Sequence, residues 1–179
     1  MGRTVIHGAV VAVLVAILAW VGSAIGITTI WPVLLGVAVG LAVWPLSLGR
    51  VGAYVLGAVI GWVAMAAYAG FLPQVGFSRA LIVLLGVGLL AVVAALSADL
   101  VPFWAGLIGY AAFAGLYEPM YAESPTLFLS ESPGALLTVL LAGAVGLAIA
   151  GLAALVTGAQ ETREVAVETP IGMRTEEVA

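Results

Sequence analysis

Residues 5–48 read VIHGAVVAVLVAILAWVGSAIGITTIWPVLLGVAVGLAVWPLSL, without a single Asp, Glu, Lys or Arg. A helix crosses about 30 Å of hydrocarbon at 1.5 Å per residue, so one span needs about 20 apolar residues. This stretch is about twice that length and has to fold back once. Gly22, Ser23, Gly26, Thr28 and Thr29 mark the turn. Thr29 is the expected N-cap, and Pro32 falls in the first turn, where its missing N–H has no helical partner to lose. The reading gives spans at about 5–25 and about 30–47.

The rest of the chain divides by the same logic. Pro45, Ser47 and Gly49 interrupt it, and Arg50 opens a third span at about 51–70. The segment from Phe71 to Gly76 reads as a loop, with Ser78 and Arg79 opening a fourth span at about 79–97. Asp99 is placed to cap a fifth helix, with Pro102 near its start, over about 100–116. Tyr117 to Ser132 reads as the one long loop. Ser132-Pro133 then starts a sixth span at about 133–157. Backbone groups in lipid must be satisfied within the segment, and no alternating strand pattern is present. The expectation is therefore an all-α, six-helix transmembrane bundle rather than a barrel.

Composition supports a lipid environment. Hydrophobic residues make up 64% of the chain and charged residues 8%, too little polar surface for a water-soluble fold of 179 residues. Between Thr4 and Gly158 the charges are only Arg50, Arg79, Asp99, Glu118, Glu123 and Glu131. There is no Lys and no Cys, and there are five Arg and one His, so nucleic-acid binding, thiolate metal sites and cysteine nucleophiles are excluded. His7 alone cannot build a histidine-rich metal or haem site. No G-x-S-x-G, Walker loop or H-E-x-x-H occurs, so neither an enzyme nor a cofactor is expected. The Ala, Gly and Val excess, with Arg in place of Lys, points to a GC-rich prokaryotic genome.

Residues 159–179, with Glu161, Glu164, Glu168, Glu176 and Glu177, read as a flexible acidic tail. The positive-inside rule puts Arg3, Arg50 and Arg163 on the cytoplasmic side with both termini, and Arg79 outside. The protein is thus expected in the plasma membrane as a multi-pass chain. Glu118, Glu123 and Glu131 then form an external acidic cluster. The first apolar run is long for a signal-peptide core, and reads as a retained span.

Span two and span five share a pattern. Trp31-Pro32, Gly36 and Gly40 align with Val101-Pro102, Gly106 and Gly109; Gly57 and Gly61 of span three align with Gly143 and Gly146 of span six. The order 1-2-3 would then repeat as 4-5-6, inverted in the membrane, as in many transporters. These eight glycines are the expected helix-packing positions, since small residues let helix backbones approach where no hydrophobic effect drives association. Ala12-xxx-Ala16 and Ala142-xxx-Gly146 are further small-residue faces. The five Trp fall mostly near span ends, as in an aromatic belt. Tyr110, Thr138 and Tyr54 are the expected cavity-lining residues, because a hydroxyl in mid-span must find a partner or water.

Val101-Pro102, Gly106 and Phe113-Ala114-Gly115, followed by Leu140, Gly143, Gly146 and Ala150, resemble a pattern in small, uncharacterised six-span prokaryotic inner-membrane proteins of the domain-of-unknown-function type. The Ala12–Ala16 face is similar to one in the substrate-capture subunits of energy-coupling-factor vitamin transporters. That resemblance implies six helices and solute capture. Two functions follow as expectations. One is a small-solute transporter or channel component without buried charge; a polar cavity lined by Tyr110 and Thr138 would favour it. The other is a scaffold or accessory subunit binding a second copy or another membrane protein through Gly/Ala faces; a solid bundle with a small-residue face toward lipid would favour that.

Overall fold

The computed structural model describes residues 2–24, 31–98 and 100–157, and within these the side chains of residues 2–5, 7, 19, 22–24, 32 and 33 are not described. The expected caps at Thr29 and Asp99, and the tail after residue 158, lie outside the described residues. The described chain contains six α-helices: α1 Gly2–Ala24, α2 Trp31–Val43, α3 Leu48–Phe71, α4 Gly76–Leu96, α5 Phe103–Glu123 and α6 Phe128–Thr157. One 3-10 turn, Pro125–Leu127, links α5 to α6.

Three of these segments, Leu48–Phe71, Gly76–Leu96 and Pro125–Thr157, are long and apolar enough to cross a membrane. Large apolar side chains also lie bare on the outside, with Leu48, Phe71 and Leu129 at 91%, 89% and 86% exposure. Both features are those of a membrane-embedded protein.

The short connections are closed by local polar groups. Ser47 caps α3, its Oγ accepting from the Arg50 backbone N–H at 3.3 Å. The Gln74 side chain donates to the Tyr68 carbonyl at 3.3 Å, covering one of the free acceptors at the end of α3. Ser97 Oγ donates to Ala94 O at 3.0 Å and accepts from Val101 N–H at 3.2 Å, while Ala98 takes a left-handed φ of 49° in the turn.

Helix bounds differ from the sequence reading mainly where proline was weighed wrongly, too lightly at Pro45 and too heavily at Pro119 and Pro133. α2 stops at Val43, before Trp44-Pro45, and its 13 residues are short of one span. Conversely, the expected loop from Tyr117 to Ser132 is mostly helix. α5 runs through Pro119 to Glu123, and α6 begins at Phe128, five residues before Pro133. Pro119 lies near the end of its helix and Pro133 near the start of its own, where few ladder bonds remain for a proline to remove. α3 and α4 each start three residues earlier than expected, at Leu48 and Gly76.

Two helix pairs form the closest packing, α3 with α5 and α2 with α6. In the first, Gly57 faces the Gly106 carbonyl, Gly109 faces Tyr54 O, and Gly61 lies over Tyr110 and Phe113. In the second, Gly36 faces Ala142 and Gly146, Gly40 faces Gly146, and the Trp44 ring lies against Gly151. Residue numbers rise together across both contacts, so both pairs are parallel. The backbone-to-backbone approach leaves no room for a Cβ at Gly36, Gly40, Gly57, Gly109 or Gly146. α3 and α6 run antiparallel, with Tyr54 at Val139 and Trp62 at Ser132. α4 packs on α3 and α5, and α1 on α6 and α2.

Candidate functional site

Among the described residues the bundle centre is apolar and buried. Val39, Val43, Tyr54, Ala58, Ala112 and Val139 form one buried cluster drawn from α2, α3, α5 and α6. Tyr54 brings the polar atom in this group, and its hydroxyl donates to the Val139 carbonyl at 2.8 Å. Its ring covers Gly143, where an added Cβ would stand 2.6 Å from Cε1. A phenol bound in this way has no free donor to offer a solute.

The two other expected cavity residues lie away from this cluster, and Tyr110 lines a cleft between α3, α4 and α5. Tyr110 is buried at the α4–α5 contact, its ring against Gly86, where an added Cβ would stand 2.6 Å from Cε2. Thr138 does not join it. Its side chain is exposed on the outside of α6, and its hydroxyl donates to Gly134 O one turn back at 2.9 Å. That back-bond satisfies the hydroxyl inside its own helix, so it needs no cavity. The eight glycines singled out as packing positions, Gly36, Gly40, Gly57, Gly61, Gly106, Gly109, Gly143 and Gly146, are all buried.

One end of the bundle carries an aromatic cluster that the sequence reading missed. Phe113, Tyr117, Tyr121 and Phe128 are buried together, with Tyr68 packed against them. Phe113 stacks on Tyr117 at 5.6 Å, and Phe128 meets Tyr117 edge-on at 5.5 Å. The i, i+4, i+8 spacing of Phe113, Tyr117 and Tyr121 put them on one helix face, a signal available in the sequence. Nearby, Trp62 Nε1 donates to the buried Ser132 Oγ at 3.0 Å. The Tyr117 hydroxyl is buried with no hydrogen-bond partner among the described residues.

At the same end a cleft of about 80 Å³ opens between α3, α4 and α5. Its walls are Gly61, Met65, Tyr68, Ile82, Val83, Tyr110, Phe113, Ala114 and Tyr117, and its charged residues are Arg79 and Glu118. Arg79 Nη2 and Glu118 Oε1 form an ion pair whose side chains are 60% and 41% exposed. Glu118 is thus engaged with α4. Glu123 is exposed and Glu131 half-buried. Among the described residues no group of three or more His, Asp or Glu is placed to hold a metal ion.

At the opposite end Arg50 lies 5.9 Å over the Trp104 ring and donates to Pro45 O at 3.3 Å, joining the starts of α3 and α5. A wholly apolar groove of about 350 Å³ separates α1 from α6, lined by Leu14, Ile17, Leu18, Val21, Val145, Ala148, Ile149 and Leu152. Comparison with protein families, curated proteins and solved structures gave no match to this chain.

Proposed function

We propose that this chain is a multi-pass scaffold or accessory subunit of a prokaryotic plasma membrane, with no catalytic or solute-conducting role of its own. The observation that carries this reading is the buried apolar cluster at the bundle centre, where the Tyr54 hydroxyl is taken by Val139 O and its buried neighbours Val39, Val43, Ala58, Ala112 and Val139 are apolar. A permeation path needs polar groups facing a cavity near the midplane. Thr138 points outward instead, and Tyr110, packed on Gly86, faces the small cleft between α3, α4 and α5 rather than the central cluster.

The outer face of α4 supports the same reading. Ser78, Gly86, Leu90 and Ala94 are its buried residues. Ala80, Gly88, Ala91 and Ala95 lie on the opposite side, all exposed, with Leu84 among them. A face made mostly of small residues admits close approach of another membrane helix. The partner is a second copy of this chain or a different membrane protein.

An inverted repeat of two three-helix units is part of the proposal. Exchanging α1, α2 and α3 with α4, α5 and α6 turns the α2–α6 contact into α5–α3 and the α1–α6 contact into α4–α3. Gly36 and Gly106 take the corresponding place in the two close pairs. In this reading the repeat builds a rigid, self-paired platform, with six spans and both termini cytoplasmic.

A photo-crosslinker carried on Ala91→Cys in native membranes tests the reading. The expected result is one discrete adduct from Ala91 and none from a control on Leu141→Cys, on the outside of α6. Saturable flux of a solute through proteoliposomes containing the purified chain alone would overturn it.

A further inference from the structure

We propose that the cleft between α3, α4 and α5 binds a phospholipid with a phosphoethanolamine headgroup, its phosphate on Arg79, its ammonium on Glu118 and one acyl chain between α3 and α4. This inference rests on membrane embedding and does not depend on whether the protein acts as a scaffold.

Position along the helices gives the first argument. Arg79 is in the first turn of α4, Glu118 is near the end of α5, and Tyr68 is near the end of α3. Phe71, Phe77 and Val75 stand exposed around this same end, as side chains do at the boundary of headgroups and hydrocarbon. The ion pair therefore sits at headgroup depth. One to two turns deeper the walls become Met65, Ile82, Val83 and Tyr110. A site charged at the surface and apolar below matches an amphiphile whose chain enters the cleft from the lipid side.

The charges choose the headgroup. Arg79 and Glu118 touch through Nη2 and Oε1, which leaves other guanidinium N–H donors and the second carboxylate oxygen free. Both side chains are substantially exposed, so both can be reached. A headgroup with a phosphate and a primary ammonium two carbons apart presents the same two charges in reverse. It can lie antiparallel to the pair, accepting from Arg79 and donating to Glu118, without leaving either charge alone. An anionic glycerol headgroup would place uncompensated negative charge against Glu118. A trimethylated ammonium has no N–H to donate.

The test is native mass spectrometry of the full chain in detergent, with phosphatidylethanolamine, phosphatidylglycerol and phosphatidylcholine of identical acyl chains present in equal amounts. Phosphatidylethanolamine adducts should exceed each of the others about threefold to fivefold, the worth of one solvent-exposed charge contact. Glu118→Gln, which keeps the side-chain shape, should bring phosphatidylethanolamine and phosphatidylcholine to parity. Val83→Trp should reduce all three by filling the cleft while leaving the ion pair in place. Equal binding of the three lipids by the unmodified chain would overturn the proposal. So would an ethanolamine preference that survives Glu118→Gln, or full competition by water-soluble phosphoethanolamine, which lacks the acyl chains.

Discussion

The Tyr54 hydroxyl donates a 2.8 Å hydrogen bond to the Val139 carbonyl oxygen, tying α3 to α6 in the centre of the bundle. In a chain this poor in polar side chains the bond satisfies the one phenol in the central cluster from within the protein. It also shows what the ring does, since Tyr54 covers Gly143 and belongs to the central cluster. Removing the hydroxyl and removing the ring should therefore have very different effects. Tyr54→Phe should cost about 0.5–1.5 kcal/mol, the net worth of one hydrogen bond. Tyr54→Ala should cost about 3–5 kcal/mol, as for other buried aromatic truncations. Denaturant titration in mixed micelles measures both.

The glycines separate by what faces them. Gly57 stands against the Gly106 carbonyl, whereas Gly52, on the same helix, has nothing within 4 Å of an added Cβ. Gly57→Ala should push α3 from α5 and cost about 1–3 kcal/mol, as overpacking does. Gly52→Ala should be neutral or stabilising by up to about 1 kcal/mol, from helix propensity. The same titration should place the two variants on opposite sides of the unmodified chain.

Ser132 is 1% exposed and accepts from the Trp62 indole at 3.0 Å. Ser132→Ala should cost about 1–3 kcal/mol, because it leaves a donor in the packed interior without a partner. Thr138→Ala, by contrast, removes only a back-bond on the exposed side of α6 and should change stability by less than about 0.5 kcal/mol. Thermal unfolding followed by circular dichroism distinguishes the two.

Tyr117 carries the opposite expectation. Its hydroxyl is buried without a partner among the described residues, so Tyr117→Phe keeps the stacked and edge-on ring contacts and removes an unsatisfied group. The variant should be as stable as the unmodified chain or more stable by about 1 kcal/mol. A loss of stability would mean that the hydroxyl has a bonding partner in the membrane.

Much of this architecture was legible in the sequence because lipid imposes so few options. That the charge-free run holds two helices, α1 and α2, followed from its length, and Pro32 stands in the first turn of α2 as its residue type demands. The glycines at the close helix pairs stood out for the same reason. What the sequence hid was pairing at a distance. Nothing local to Gly36 says that Ala142 and Gly146 will cover it, or that α2 will choose α6 over the adjacent α3. Proline misled in both directions, since its cost depends on how many ladder bonds remain to lose, and Pro119 and Pro133 lie close to helix ends. Thr138 misled because a hydroxyl's need for a partner was met four residues back in its own helix.

The most direct test of the closed centre is thiol accessibility, made clean by a chain with no cysteine of its own. Single substitutions Ala58→Cys, Ala112→Cys and Val139→Cys place a thiol in the central cluster from three different helices. Gln74→Cys in the exposed α3–α4 connection serves as the reference. Treated in native membranes with a small, membrane-impermeant thiol reagent admitted to both sides, the Gln74→Cys chain should label rapidly and the other three should stay unlabelled. Labelling of Ala58→Cys, Ala112→Cys or Val139→Cys at a rate near that of Gln74→Cys would reveal a water-filled path through the bundle and contradict the account.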